Sequence, residues 1–121
     1  MMLEANPPPD IAAMSHMEKK RLLENTIRFQ KAADLEVLLD AGLDVNETDT
    51  AYRCGLQMAA YMGKIDFVRL LLARGADVNF IFEDGQNGRK LTALDAAEAR
   101  KNNAEIIDLI KKHGGKHGNE L

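Results

Sequence analysis

Tryptophan is absent from the chain, and aromatic residues make up only 5% of its 121 positions. An interior so poor in aromatic surface has to be built from Leu, Ile, Val and Ala, which suits helix stacked on helix better than a sheet sandwich. There is a single cysteine, Cys54. An internal disulfide framework is therefore excluded, and a reducing compartment, the cytoplasm, is the expected one. The only prolines are the three at Pro7, Pro8 and Pro9, where they impose extended geometry. No apolar run approaches the roughly 18 residues of a membrane span, and the start of the chain lacks the basic and apolar regions of a secretory signal. Neither sign of charge dominates: the net charge of −3 argues against wholesale nucleic-acid binding. These absences leave one soluble domain with no expected membrane or nucleic-acid partner.

What is present is helical periodicity interrupted by glycine. From Gly55 to Asn79, Leu56, Ala59 and Ala60 fall at helical spacing until Gly63 breaks the run. Ile65, Val68, Leu71 and Leu72 then form a second stripe, closed by Gly75. Such a helix pair cannot bury its own apolar face and needs stacked neighbours. Upstream, Gly42-Leu43-Asp44-Val45-Asn46 parallels Gly75-Ala76-Asp77-Val78-Asn79 at a spacing of 33, as Leu35, Leu38 and Leu39 parallel Val68, Leu71 and Leu72. Downstream, Leu94-Asp95-Ala96-Ala97 echoes Leu56-Gln57-Met58-Ala59. Ile107 and Ile110 echo Val68 and Leu71 at a spacing of 39.

A period of 33 with this internal order resembles the ankyrin repeat. The resemblance covers about Leu22 to Gly115, with a highly specific middle copy and degenerate flanking ones. It implies an all-α solenoid of stacked antiparallel helix pairs joined by β-hairpin or turn fingers, the second finger enlarged. The expected organisation is a disordered leader over 1–14, repeats at about 15–48, 49–81 and 82–115, and a C-terminal tail at 116–121. Ser15-His16-Met17-Glu18 has the spacing of a capping box, so a helix is expected from there to about Phe29, and its polar flank suits an N-terminal cap. The family's Thr-Pro-Leu-His opening aligns with Cys54-Gly55-Leu56-Gln57, where only Leu56 matches. The hydroxyl cap and the histidine's hydrogen-bond network are thus expected to be missing, at a cost of about 1 kcal/mol. Thr92-Ala93-Leu94-Asp95 is a common variant of that opening. Lys111 stands where the middle copy has Leu72, which marks the end of the stack.

In ankyrin repeats, partner contacts come from the finger tips and from the inner-helix residues just before the turn. Carried onto this chain, the inner-helix positions are Arg28 and Phe29, Tyr61 and Met62, and Ala99 and Arg100; the first finger adds Thr50 and Arg53. Tyr61 and Met62 follow the buried Ala59-Ala60 and should face the concave groove. Arg28 and Arg100 flank them, which points to an acidic or carboxylate-bearing epitope. The second finger runs NFIFEDGQNGRKLT. Asp84-Gly85 and Asn87-Gly88 offer primed-turn chemistry, with strands expected near 79–83 and 89–92. Phe80, Ile81 and Phe82 cannot all face inward on one strand. They form either a hydrophobic anchor rimmed by Glu83, Asp84, Arg89 and Lys90, or a loop insertion folded back on the neighbouring inner helix. Edge pairing through 80–91 would give a weak homodimer in place of a monomer.

Other residues carry less. His113 and His117 are separated by Gly114-Gly115, and Cys54 and His16 stand apart from them, so no metal constellation, cofactor site or catalytic set is expected. The two histidines read as a surface tail. Cys54 has no neighbouring His base and reads as a partly buried turn residue. The resemblance implies a non-catalytic protein–protein interaction module, acting as an adaptor or as a small inhibitor or immunity-type protein that occludes an enzyme or toxin. No small-molecule substrate is expected.

Overall fold

The computed structural model describes residues 10–121. Its α-helices are α1 (His16–Phe29), α2 (Ala32–Asp40), α3 (Gly55–Met62), α4 (Ile65–Ala73), α5 (Ala93–Glu98) and α6 (Ala104–Lys112). A hairpin of β1 (Phe82–Glu83) and β2 (Lys90–Leu91) stands between α4 and α5.

Helices α1, α2 and α5 begin where a side chain meets an otherwise open amide group. Ser15 Oγ accepts the Glu18 N–H at 3.1 Å while Glu18 Oε1 accepts the Ser15 N–H at 2.8 Å, a reciprocal capping box. Asp34 does the same for the Lys31 N–H before α2, and Asp95 for the Thr92 N–H before α5, both at 2.9 Å. The outer helices α2 and α4 each stop short of a left-handed glycine, Gly42 at φ +109° and Gly75 at φ +83°. A side chain there would be strained, which explains why glycine recurs at the repeat spacing.

The helices form two layers. In the inner one α3 packs on α1 and α5; in the outer one α4 packs on α2 and α6, and each pair also closes on itself. Leu23, Ile27, Leu35, Leu56, Val68, Leu71, Leu94 and Ile110 are sealed between them, and truncating any one to Ala should cost about 2–5 kcal/mol. The 33-residue correspondence is physical: Leu35 and Val68 are both buried, as are Leu38 and Leu71. Lys111 is exposed where Leu72 is buried. This is the all-α solenoid with an enlarged second finger that the resemblance implies. The finger's strands lie inside the expected spans but are only two residues long, with Phe82 opposite Leu91 and Glu83 opposite Lys90. Asp84 and Gly88 close its turn: the Gly88 N–H donates to Asp84 O at 2.7 Å.

Several expectations need correction. Residues 1–9 of the expected leader lie outside the described residues, but Ile11–Ala13 form a short 3-10 turn with Ile11 buried. An apolar side chain buried in the core is more stable there than in water. The expected tail, 116–121, closes back on the third helix pair. Thr92 Oγ1 donates to Lys116 O at 2.6 Å, and Asp95 Oδ2 accepts the Gly118 N–H at 2.8 Å. Gly118 is buried so tightly that a Cβ would collide with the Lys90 carbonyl. The tail's backbone thus partners polar groups at the finger base and at the start of α5. Cys54 is fully buried as the first residue before α3, and burial pushes its thiol up to about 11.

Candidate partner-binding groove

The end of α3 shapes a concave surface. Ala59 and Ala60 are sealed in the core, and the helix stops at Gly63 one turn later. Its last two side chains, Tyr61 and Met62, therefore stand at the mouth of a groove of about 750 Å³. Phe82 and Leu91, which face each other across the hairpin, form the opposite wall. Arg28 from the end of α1, Arg53 from the first finger and Arg89 from the second reach the same groove. Tyr61 is 52% exposed and Met62 half-buried.

Of the sequence-predicted residues, the groove brings together Arg28, Arg53, Tyr61, Met62, Phe82, Arg89 and Ala99. The others lie elsewhere. Phe29, 77% exposed, projects at the end of α1 without lining the groove. Thr50 is tied down, its hydroxyl donating to Glu24 Oε1 at 2.6 Å and its N–H to the same atom at 3.2 Å. Those bonds hold the Glu24 carboxyl below its ordinary value. Arg100 is folded across the end of α3, donating to the Tyr61 carbonyl at 3.4 Å. Phe80 and Ile81 border a shallower cleft of about 530 Å³ between the two fingers, opposite Thr48 and Tyr52. Ile81 is exposed, while Phe80 and Phe82 are half-buried, so the three side chains do not all face inward. Leu91 was missed by sequence reasoning; its register opposite Phe82 is the signal that would have found it.

The expected loss of the opening's hydrogen-bond network is also corrected. Gln57, buried in α3, takes the place of the family's histidine. Its Oε1 accepts the Cys54 N–H at 3.0 Å, and its Nε2 donates to Leu91 O at 2.9 Å and Phe80 O at 3.4 Å. A primary amide carries both a donor and an acceptor, so one side chain closes the start of α3 and ties Leu91 in β2 and Phe80, just before β1, to the same helix. Cys54 stands at the N-cap position with a thiol where the family has a hydroxyl.

Anions and cations around the groove are not equally committed. Asp95 accepts the Thr92 and Gly118 N–H groups. Glu98 Oε1 receives His117 Nε2 at 2.7 Å. Arg53 pairs with the buried Asp49 at 3.2 Å, and Arg28 sits a looser 3.6 Å from Glu24. Arg89 makes no ion pair among the described residues. Also among the described residues, no group of three or more His, Cys, Asp or Glu is placed to hold a metal ion, and no helix is long and apolar enough to cross a membrane.

Comparison with known proteins agrees with this architecture. The family model for the ankyrin repeat matches residues 55–81, the stretch from α3 to the start of the second finger. An ankyrin repeat protein of fowlpox virus (strain NVSL) is 33% identical over 105 residues, covering 87% of this chain and 15% of the viral protein. The ankyrin repeat, SAM and basic leucine zipper domain-containing protein 1 of Echinops telfairi is 27% identical over 112 residues, 90% of this chain and 22% of that protein. Inversin of Danio rerio is 50% identical over 42 residues, 35% of this chain and 4% of inversin. The chain thus spans less than a quarter of the length of each of these relatives. With the period, the two-layer stack and these matches together, the chain belongs to the ankyrin repeat family.

Proposed function

We propose that the chain is a non-catalytic docking module that holds a partner protein rigidly in its concave groove and between its fingers, in the cytoplasm. Ankyrin repeats are in general protein–protein interaction modules. The observation that carries the reading here is the convergence of Tyr61, Met62 and Phe82 on one groove, with Tyr61 more than half exposed. Tyrosine, methionine and phenylalanine are enriched in interface cores. A groove whose wall is pinned by the Gln57 bonds arrives pre-organised, so less ordering opposes binding.

Affinity capture tests this. The tagged chain should retain a specific partner from its source lysate, and Tyr61→Ala with Met62→Ala should weaken retention about tenfold or more while the far-ultraviolet spectrum keeps its helical form. A double variant that holds the same partner with unchanged strength would show that the groove is not the docking surface.

A further inference from the structure

We propose that the groove takes an extended segment of the partner in which an acidic side chain, Asp or Glu, stands next to a bulky apolar one. The assignment rests on the docking reading above and adds the chemistry of the occupant. Its basis is the unequal commitment of charge. The two groove carboxylates are occupied: Asp95 by two backbone N–H groups, Glu98 by the His117 ring. The cations are open by degrees. Arg53 is held by Asp49, Arg28 is only loosely paired with a Glu24 that already serves Thr50, and Arg89 has no ion-pair partner among the described residues. What the groove offers an incoming group is therefore guanidinium, whose paired N–H donors match a carboxylate.

The apolar half of the occupant follows from the walls. Met62 and Phe82 are half-buried and border a volume of about 750 Å³. That is the size of a cavity that encloses a few side chains of one segment rather than a folded face. A bare anion would leave this surface wet, and a purely apolar segment would leave Arg89 unpaired beside it. Acidic and apolar side chains set next to each other satisfy both.

The test is selection of a phage-displayed random dodecapeptide library on the whole chain, followed by affinity measurement on synthetic, amidated copies of the winners. Expected winners carry Asp or Glu beside Phe, Tyr, Leu or Met, and Arg89→Glu weakens them about tenfold. Arg89 is exposed on a finger and makes no ion pair among the described residues, so this variant should fold. The swap Arg28→Glu with Arg89→Glu should turn the selected sequences from acidic to lysine- or arginine-bearing. Neutral or basic winners on the unaltered chain, winners indifferent to Arg89→Glu, binding that vanishes on amidation, or no enrichment at all would each overturn the proposal. Winners without acidic residues that still lose binding to Tyr61→Ala with Met62→Ala refute the acidic chemistry and spare groove docking. Winners indifferent to that pair as well count against both.

Discussion

The Asn46 side-chain oxygen accepts the backbone N–H of Asp77 at 2.7 Å, joining the loop after α2 to the loop after α4. Asn79, one period later, accepts the Lys116 N–H in the same way at 2.8 Å. Each asparagine follows an aspartate that shapes its turn: Asp44 Oδ1 accepts the Asn46 N–H at 2.9 Å, and Asp77 Oδ1 the Asn79 N–H at 3.0 Å. The repeated Asp-Val-Asn is therefore a connector, in which aspartate bends the chain and asparagine reaches to the next unit.

Replacing either asparagine with alanine should cost about 1 kcal/mol in urea unfolding. The two variants should differ in where they loosen. Asn79→Ala should release the C-terminal segment, seen as faster hydrogen exchange at the Gly118 amide, whereas Asn46→Ala should leave that amide protected.

Gln57 offers a sharper test of how the second finger is held. Gln57→Leu keeps the volume but strands the Cys54 N–H and the Leu91 carbonyl. A loss of about 1–3 kcal/mol is expected, with increased exchange across 80–91. A loss below about 0.5 kcal/mol would show that Phe80 and Phe82 packing alone holds the finger.

The repeat frame was legible because glycine and leucine act locally: Gly42 and Gly75 must be left-handed, and Leu35 and Val68 must leave water. The long-range polar bonds were not. Gln57 was read against the histidine it replaces and taken as a loss, because sequence shows a side chain's type and not which distant carbonyl it meets. The segment 116–121 was read as a C-terminal tail, yet the equivalence of Asn79 to Asn46 already implied something for Asn79 to grip. Seven of the groove's side chains were named in advance, because the ends of the inner helices and the fingers face one side. Thr50 and Arg100 also bond within the chain, to Glu24 and to the Tyr61 carbonyl, and only the fold reveals those bonds.

His117 should make the C-terminal closure pH-dependent. Its ring lies 2.7 Å from Glu98 Oε1 and 2.9 Å from Glu120 Oε1. The hydrogen bonds with Glu98 and then Glu120 raise its pKa above the ordinary 6.5, while bonds from His117 lower that of Glu120 below 4.5. A raised histidine stabilises fully below its unfolded value and less as pH climbs through its folded one. A lowered glutamate stabilises fully above its unfolded value and less as pH falls through its folded one. The contribution is thus complete between about pH 4.5 and 6.5 and declines on either side. NMR titration should show His117 deprotonating above the ordinary 6.5, and Glu98→Gln should move it back toward that value.

Cys54 should behave as an inert core thiol. With burial pushing it to about 11, it should react with a disulfide reagent only as fast as the first turn of α3 opens, and promptly in urea. Because the backbone at Cys54 already has extended N-cap geometry, φ −72° and ψ 162°, Cys54→Ser should add the missing hydroxyl cap. The expected gain is up to about 1 kcal/mol, read from the urea midpoint.

Docking through the groove is tested most directly by methyl NMR of the methionine-labelled chain as a captured partner is added. Met58 and Met62 line the groove, whereas Met14 and Met17 sit at the opposite end of the first helix pair's sequence, outside it. The Met58 and Met62 methyl signals should shift or broaden in step with binding while those of Met14 and Met17 hold still. Unchanged Met58 and Met62 signals at saturation would contradict docking in the groove.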